Sequence, residues 1–513
     1  MNAMTVTTAS GRLLGRTDAG VHSYLGVPYA APPFGASRLR PPQPVATWSG
    51  VRDAISFGAE PPQLKPPADH PTAAMVWDPA EPGDDCLNLN IWTPDPGTHG
   101  LPVMVWIPGG MFEVGTGATY DGGRFARDGI VCVTINYRVG PEGFLYLADG
   151  DANLGLLDQI AALGWVRDNI AAFGGDPANV TIFGESAGAM SVGTLLAVPR
   201  AEGLFGRAIC QSGAADRVIS ADTALRVGRE LAERLGIEAT RDAFTAITPD
   251  HLLLAAAELK GDLLAHPDPA RWGFEVIASM LPWQPVIDGD VLPGYPVDRI
   301  AAGAAAGVDV MVGSNTDDWK LFVIANGSLE RVTDETLTGP VATHGFETAL
   351  AYGLSAEAVT AYRAARPGAG PGELLAAIET DWWCRIPAIC LAEAHADATS
   401  ATYMYEFAWP APGVGACHAL EIGFVFDTLD HGRHQMLGPL LGGAPQALAD
   451  TMHGAWVAFA TTGDPGWPKY DLGRRATMRF DTVSRLVEDP RAFERGLWET
   501  TGRFATSVAA GAR

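Results

Sequence analysis

An α/β architecture, with a mainly parallel sheet flanked by helices, is what this chain of 513 residues predicts. Three observations lead there. Short apolar runs rich in Val and Ile recur from residue 87 onward, closed by Gly, Pro or Asn, as strands buried on both faces require. Between two of them lies 155–172, with Leu156, Ile160, Leu163, Val166 and Ile170 at helical spacing and Asp158 and Arg167 interspersed. A third run, 180–183, passes through Gly184-Glu-Ser-Ala-Gly188 into a small-residue segment, the pattern of a strand, a tight turn and a helix.

The elements follow in order. Residues 21–50, rich in Pro and Gly, read as turns and short edge strands, and the proline-studded 61–85 as an irregular surface loop. Strands are expected at 87–92, where polar and apolar residues alternate, at 102–107, which ends in Pro-Gly-Gly, and at 130–135, which stops at Asn136-Tyr-Arg138. After the helix at 155–172 come strands at 180–183 and 208–212. From about 216 to 280 strand signals fade, and 223–235 and 251–264 read as amphipathic helices capping the sheet edge. Strands resume at 308–312 and 402–407, and a helix at 451–461 closes the pattern. No stretch reads as a linker, so 1–513 is expected to form a single domain with a helical insertion.

Composition narrows the function. An apolar fraction of 47% suits a chain with a sizeable core. The 35 basic residues against 59 acidic ones leave a net charge of −24, which argues against nucleic acid and anionic membranes as partners and favours neutral or cationic substrates. No apolar run reaches the roughly 18 residues that a membrane span takes. The first residues lack a basic segment followed by an apolar one, so a cytoplasmic location is expected. Six cysteines without C-x-x-C pairs or zinc-like spacing read as buried thiols, with no metal and no cofactor.

The chemistry centres on Ser186. A serine held on a strained turn needs neighbours without side chains, and Gly184 and Gly188 supply them. A nucleophilic serine also needs a base, and the base an orienting acid, each on a loop after a core strand. Asp317 and Asp318 form such a pair of carboxylates after 308–312. Of the 11 histidines, His418 alone sits in an apolar, Gly-rich setting well downstream, whereas His431 and His434 fall in a polar stretch. Backbone amides able to hold an oxyanion are expected from Gly109-Gly110-Met111, after an earlier strand, and from Ala187 beside the serine.

Several longer motifs accompany this constellation: Tyr24-Leu-Gly-Val-Pro-Tyr-Ala-Ala-Pro-Pro33, Asp85-Cys-Leu-Asn-Leu-Asn-Ile-Trp92, Asn136-Tyr-Arg-Val-Gly140, Asn169-Ile-Ala-Ala-Phe-Gly-Gly-Asp-Pro177, Pro285-Val-Ile-Asp-Gly289 and Phe459-Ala-Thr-Thr-Gly-Asp-Pro465. Together they resemble the type-B carboxylesterases, the α/β-hydrolases that include bacterial para-nitrobenzyl esterases and cholinesterases. The resemblance implies a cofactor-free serine carboxylic-ester hydrolase acting on small to medium, largely apolar esters. An amidase, carbamate hydrolase or lactonase using the same machinery, or a binding relative without catalysis, is the alternative.

Carried over by position, the resemblance implies Ser186 as nucleophile, His418 as base and Asp318, chosen from the Gly313-x-Asn-x-Asp-Asp318 pattern, as acid. Gly110, Met111 and Ala187 would be the oxyanion donors, and Glu185, Ser212 and Glu421 a supporting hydrogen-bonded network. Trp77, in a W-x-P setting, is a candidate for cation contact, and Phe112, Leu281 and Trp283 are expected to line the substrate pocket. Three departures stand out. Pro108 replaces a histidine before the paired glycines, Met111 replaces Gly or Ala, and Cys86 lacks the upstream cysteine with which its counterpart pairs in secreted members.

Overall fold

The computed structural model of the chain describes residues 3–65, 78–432, 434–499 and 501. A twisted path of hydrogen-bonded strands makes one sheet of 13 strands. It opens with the antiparallel strands Ala3–Thr7, Arg12–Asp18, Val21–Pro28 and Asn88–Thr93, with Val51–Asp53 paired beside the second. From there the order is Val131–Ile135, Leu101–Ile107, Gly175–Glu185, Arg207–Gln211, Asp309–Asn315, Thr402–Phe407 and Ala476–Phe480, with every neighbouring pair parallel. Arg485–Glu488 closes the far edge antiparallel.

The reason for the continuous apolar runs is visible in this order. Every residue of Val131–Ile135 and of Thr402–Phe407 is buried, because helices cover both faces of a parallel sheet. Successive side chains then serve opposite cores. Val103, Val105 and Ile107 join the cluster on one face, and Met104 and Trp106 the cluster on the other. The helix Leu154–Asn169 is likewise buried around most of its circumference, and its Asp158 is no surface residue: it is fully buried and paired with Arg138 at 2.7 Å.

The cap-like helices appear as Ala221–Leu235 and Pro249–Ala265. A two-stranded ladder, Ile219–Ser220 with Val286–Ile287, brackets them. A second helical excursion, from Lys320–Ala325 to Ile386–Ala394, separates the strands at 309–315 and 402–407. Its helices are short and buried on several sides, so no helical period along the chain marks it. The strand Val21–Pro28 is longer than expected and lies well inside the sheet rather than at its edge.

Candidate active site

Ser186 stands at the N-cap of the helix Ala187–Leu195, directly after the strand Gly175–Glu185, with φ +57° and ψ −128°. This is a strained conformation for a residue with a side chain, and the turn is held by close backbone approach. A Cβ on Gly188 would come within 2.0 Å of the Ile107 carbonyl oxygen, and one on Gly184 within 2.6 Å of the Gly188 backbone. Only glycine fits at either position. Ser186 is half-buried, while Glu185 and Ala187 on either side are buried.

His418 and Asp318 meet from two different loops. His418 Nδ1 lies 2.9 Å from Asp318 Oδ1, and the His418 amide donates to the Asp318 carbonyl at 3.1 Å. The second oxygen of Asp318 accepts from the Asn315 amide (2.8 Å) and from Ser212 Oγ (3.1 Å). Asn315 Nδ2 bridges onward to the Cys417 carbonyl (2.8 Å) and to Glu421 Oε2 (2.6 Å), tying the acid loop to the histidine loop. Asp317 faces the outer side of the same loop, accepting from Thr316 Oγ1 and the Ala416 amide.

The other ring nitrogen, His418 Nε2, lies 3.0 Å from Glu185 Oε1. Among the described residues Ser186 Oγ has no hydrogen-bond partner. Burial pushes the His418 imidazolium down, but the charges of Glu185 and then Asp318 outweigh burial and hold it up at about 9. Burial drives Glu185 up to about 8 against the pull of His418, with Glu421 and Asp318 adding to the rise. Thus Glu185, Ser212 and Glu421 all surround the pair without bonding one another. Glu185 faces His418, Ser212 holds Asp318, and Glu421 is held by Asn315 and Gln211.

The loop after Leu101–Ile107 turns sharply beside the serine. Gly110, Met111 and Phe112 have φ of +122°, +58° and +59°, and the amides of Glu113 and Val114 both close onto the Gly110 carbonyl at 3.0 Å. Among the described residues the amides of Gly110, Met111 and Ala187 donate to no protein acceptor. Such unpaired amides beside a serine can take up a developing oxyanion. Pro108, where a donor side chain was missed, accepts instead: its carbonyl is held by Tyr137 Oη at 2.8 Å. Met111 is exposed, so its side chain does not pack beneath the loop.

Three residues expected to line the pocket are buried. Phe112 has no accessible surface and packs edge-on against Phe144 at 5.0 Å, so it supports the loop from below. Leu281 and Trp283 are also buried, within the core under the helical insertion. Apolar residues beside an insertion serve the core as readily as a pocket, and sequence cannot separate the two. Trp77 lies outside the described residues. The aromatic side chains near His418 are Phe322, at 5.4 Å between ring centroids, and Trp319, at 6.1 Å, which stacks on Trp383 at 4.3 Å. All three come from the second excursion or its entry. The aromatic-rich Asp381-Trp-Trp-Cys-Arg385 was the available signal, but nothing in it indicated nearness to His418.

The chain matches the profile of the carboxylesterase family over residues 2–491. It is 36% identical to the para-nitrobenzyl esterase of Bacillus subtilis, covering 96% of this chain and 98% of that one. Against the phenmedipham hydrolase of Pseudarthrobacter oxydans the identity is 34%, over 90% and 92% of the two chains. Among solved structures it is similar to a carboxylesterase of Geobacillus stearothermophilus, with a TM-score of 0.80 and 37% identity over 96% and 99% of the chains. A solved para-nitrobenzyl esterase matches with a TM-score of 0.81 and 35% identity, over 97% and 99%.

Proposed function

Because the chain belongs to the carboxylesterase family, and so is a serine hydrolase of carboxylic esters with the α/β-hydrolase fold, we propose that Ser186, His418 and Asp318 are its catalytic triad. Ser186 Oγ attacks the ester carbonyl, and His418 Nε2 takes its proton and passes it to the leaving alcohol. Asp318 holds the tautomer with hydrogen on Nδ1 and steadies the imidazolium. The amides of Gly110, Met111 and Ala187 receive the oxyanion, and water then attacks the acyl-enzyme by the same route. The observation that carries this reading is the buried His418–Asp318 contact of 2.9 Å beside the strained serine turn.

The substrates in this proposal are small to medium, largely apolar, neutral or cationic esters. The net charge of −24 and the aromatic side chains of Trp319 and Phe322 beside His418 support that class. The whole chain acts as one catalytic domain whose two helical excursions wall the site. No helix among the described residues is long and apolar enough to cross a membrane. A cytoplasmic location belongs to the same proposal, supported by Cys86 standing as a buried thiol. The test is a screen of p-nitrophenyl esters by acyl length, with Ser186→Ala as control and a fluorophosphonate label read by mass on Ser186. Turnover or labelling that survives in Ser186→Ala would overturn the assignment.

A further inference from the structure

Beside the proposed triad lies a third metal-binding side chain that the hydrolysis does not use. Cys384 is fully buried in the wide helical turn Asp381–Arg385, between Pro371–Thr380 and Ile386–Ala394. Turns of this kind often sit at functional sites. One ligand atom each from Asp318, Cys384 and His418 lie within 4.8 Å of one another, all buried. Cys384 Sγ donates to the Ser212 carbonyl at 3.5 Å, and Asp318 is its hydrogen-bonding and charged neighbour.

We propose that Asp318 Oδ1, His418 Nδ1 and Cys384 Sγ form an inhibitory site for a thiophilic divalent cation such as zinc. A mixed oxygen, nitrogen and sulfur set is what zinc takes, and magnesium and calcium do not. Tetrahedral bonds of about 2.0–2.3 Å place the ligand atoms roughly 3.5 Å apart. The present 2.9 Å between Asp318 and His418 would open slightly. Asp318 Oδ2 keeps its bonds from Asn315 and Ser212 throughout.

The proton balance explains why binding would inhibit. The thiol proton leaves to solvent, so thiolate and carboxylate together neutralise the cation. Metal on Nδ1 forces the ring hydrogen onto Nε2, whether it comes from Nδ1 of a neutral ring or is already there in the imidazolium, which then loses its Nδ1 proton to solvent. Glu185 Oε1 waits 3.0 Å from Nε2 and has no hydrogen-bond partner among the described residues. It would accept that N–H, as the outer carboxylate of a metal-bound histidine does. A ring with hydrogen on Nε2 cannot take a proton from Ser186.

The inhibitory half rests on His418 being the base, whereas the binding half does not, and two readouts keep them apart. Zinc should inhibit ester hydrolysis reversibly, with EDTA restoring activity and equal magnesium doing nothing. Cys384→Ala should raise the zinc concentration for half-inhibition by on the order of 10-fold or more, with metal-free activity kept. Cobalt(II) should give a thiolate charge-transfer band with the wild type and none with Cys384→Ala. Cys384→Ser, which preserves shape, serves if the alanine variant melts early. Equal zinc sensitivity in wild type and variants, or a cobalt band that persists without Cys384, would overturn the site. A Cys384-dependent band without inhibition would instead locate the error in the role given to His418.

Discussion

Replacing Glu185 with Gln asks how the imidazole is tuned. His418 Nε2 lies 3.0 Å from Glu185 Oε1 and Nδ1 lies 2.9 Å from Asp318 Oδ1, and both charges favour the imidazolium. Burial opposes them, yet the ring stands at about 9 against an ordinary 6.5. At 1.36 kcal/mol per pH unit that gap corresponds to about 3 kcal/mol in favour of the charged ring. After burial, Glu185 is the largest single contribution, so its removal should lower the His418 value by about one pH unit or more. The base acts in its neutral form, and activity therefore rises with pH through that value. Lowering it moves the acid limb of kcat/KM toward lower pH in Glu185→Gln, even as the plateau falls through poorer support of the imidazolium in the transition state. The assay is pH-stat hydrolysis of a neutral ester from about pH 5 to 10, which avoids a pH-dependent chromophore. A limb that stays in place, or moves upward, would refute the account of what holds His418 up.

Ser186→Ala should leave the fold intact and abolish turnover, with only the ~10³–10⁴-fold acceleration over water that survives loss of a triad member. Asp318→Asn should lower kcat by about 10⁴-fold, because an amide facing Nδ1 fixes the wrong tautomer; Asp317→Asn should stay within about threefold, since Asp317 braces only the outer loop. Reversed severities would show that the wrong carboxylate was chosen. Glu113, inside the oxyanion loop, is held by Lys260 Nζ at 2.6 Å from the helix Pro249–Ala265. Lys260→Met should cost about 10–100-fold in kcat with little change in KM, as small misplacements of donors do, and a loss confined to KM would refute the link. Met111→Gly relieves a left-handed φ of +58°, so melting should not fall while bulky acyl groups gain about 10-fold or more over acetyl. An unchanged acyl profile would remove Met111 from the pocket.

Local chemistry was enough to read the central strands and the serine turn. Strands buried on both faces must be short and apolar, and a nucleophile turn needs glycine on either side, so both leave marks within a dozen residues. The pairing of Asp318 over Asp317 came from a resemblance of pattern, since two adjacent carboxylates look alike in composition; the fold separates them by turning one inward to Asn315 and Ser212 and the other outward to Ala416. What only tertiary structure decided were relations across long stretches of chain. Asn315 bridges to Glu421, Lys260 to Glu113, and Cys384 stands beside a histidine and an aspartate contributed by other loops. Leu281 and Trp283 are buried in the large core cluster. Burial and charge set the imidazole's protonation through these distant partners, and no spacing along the chain encodes a distance between loops.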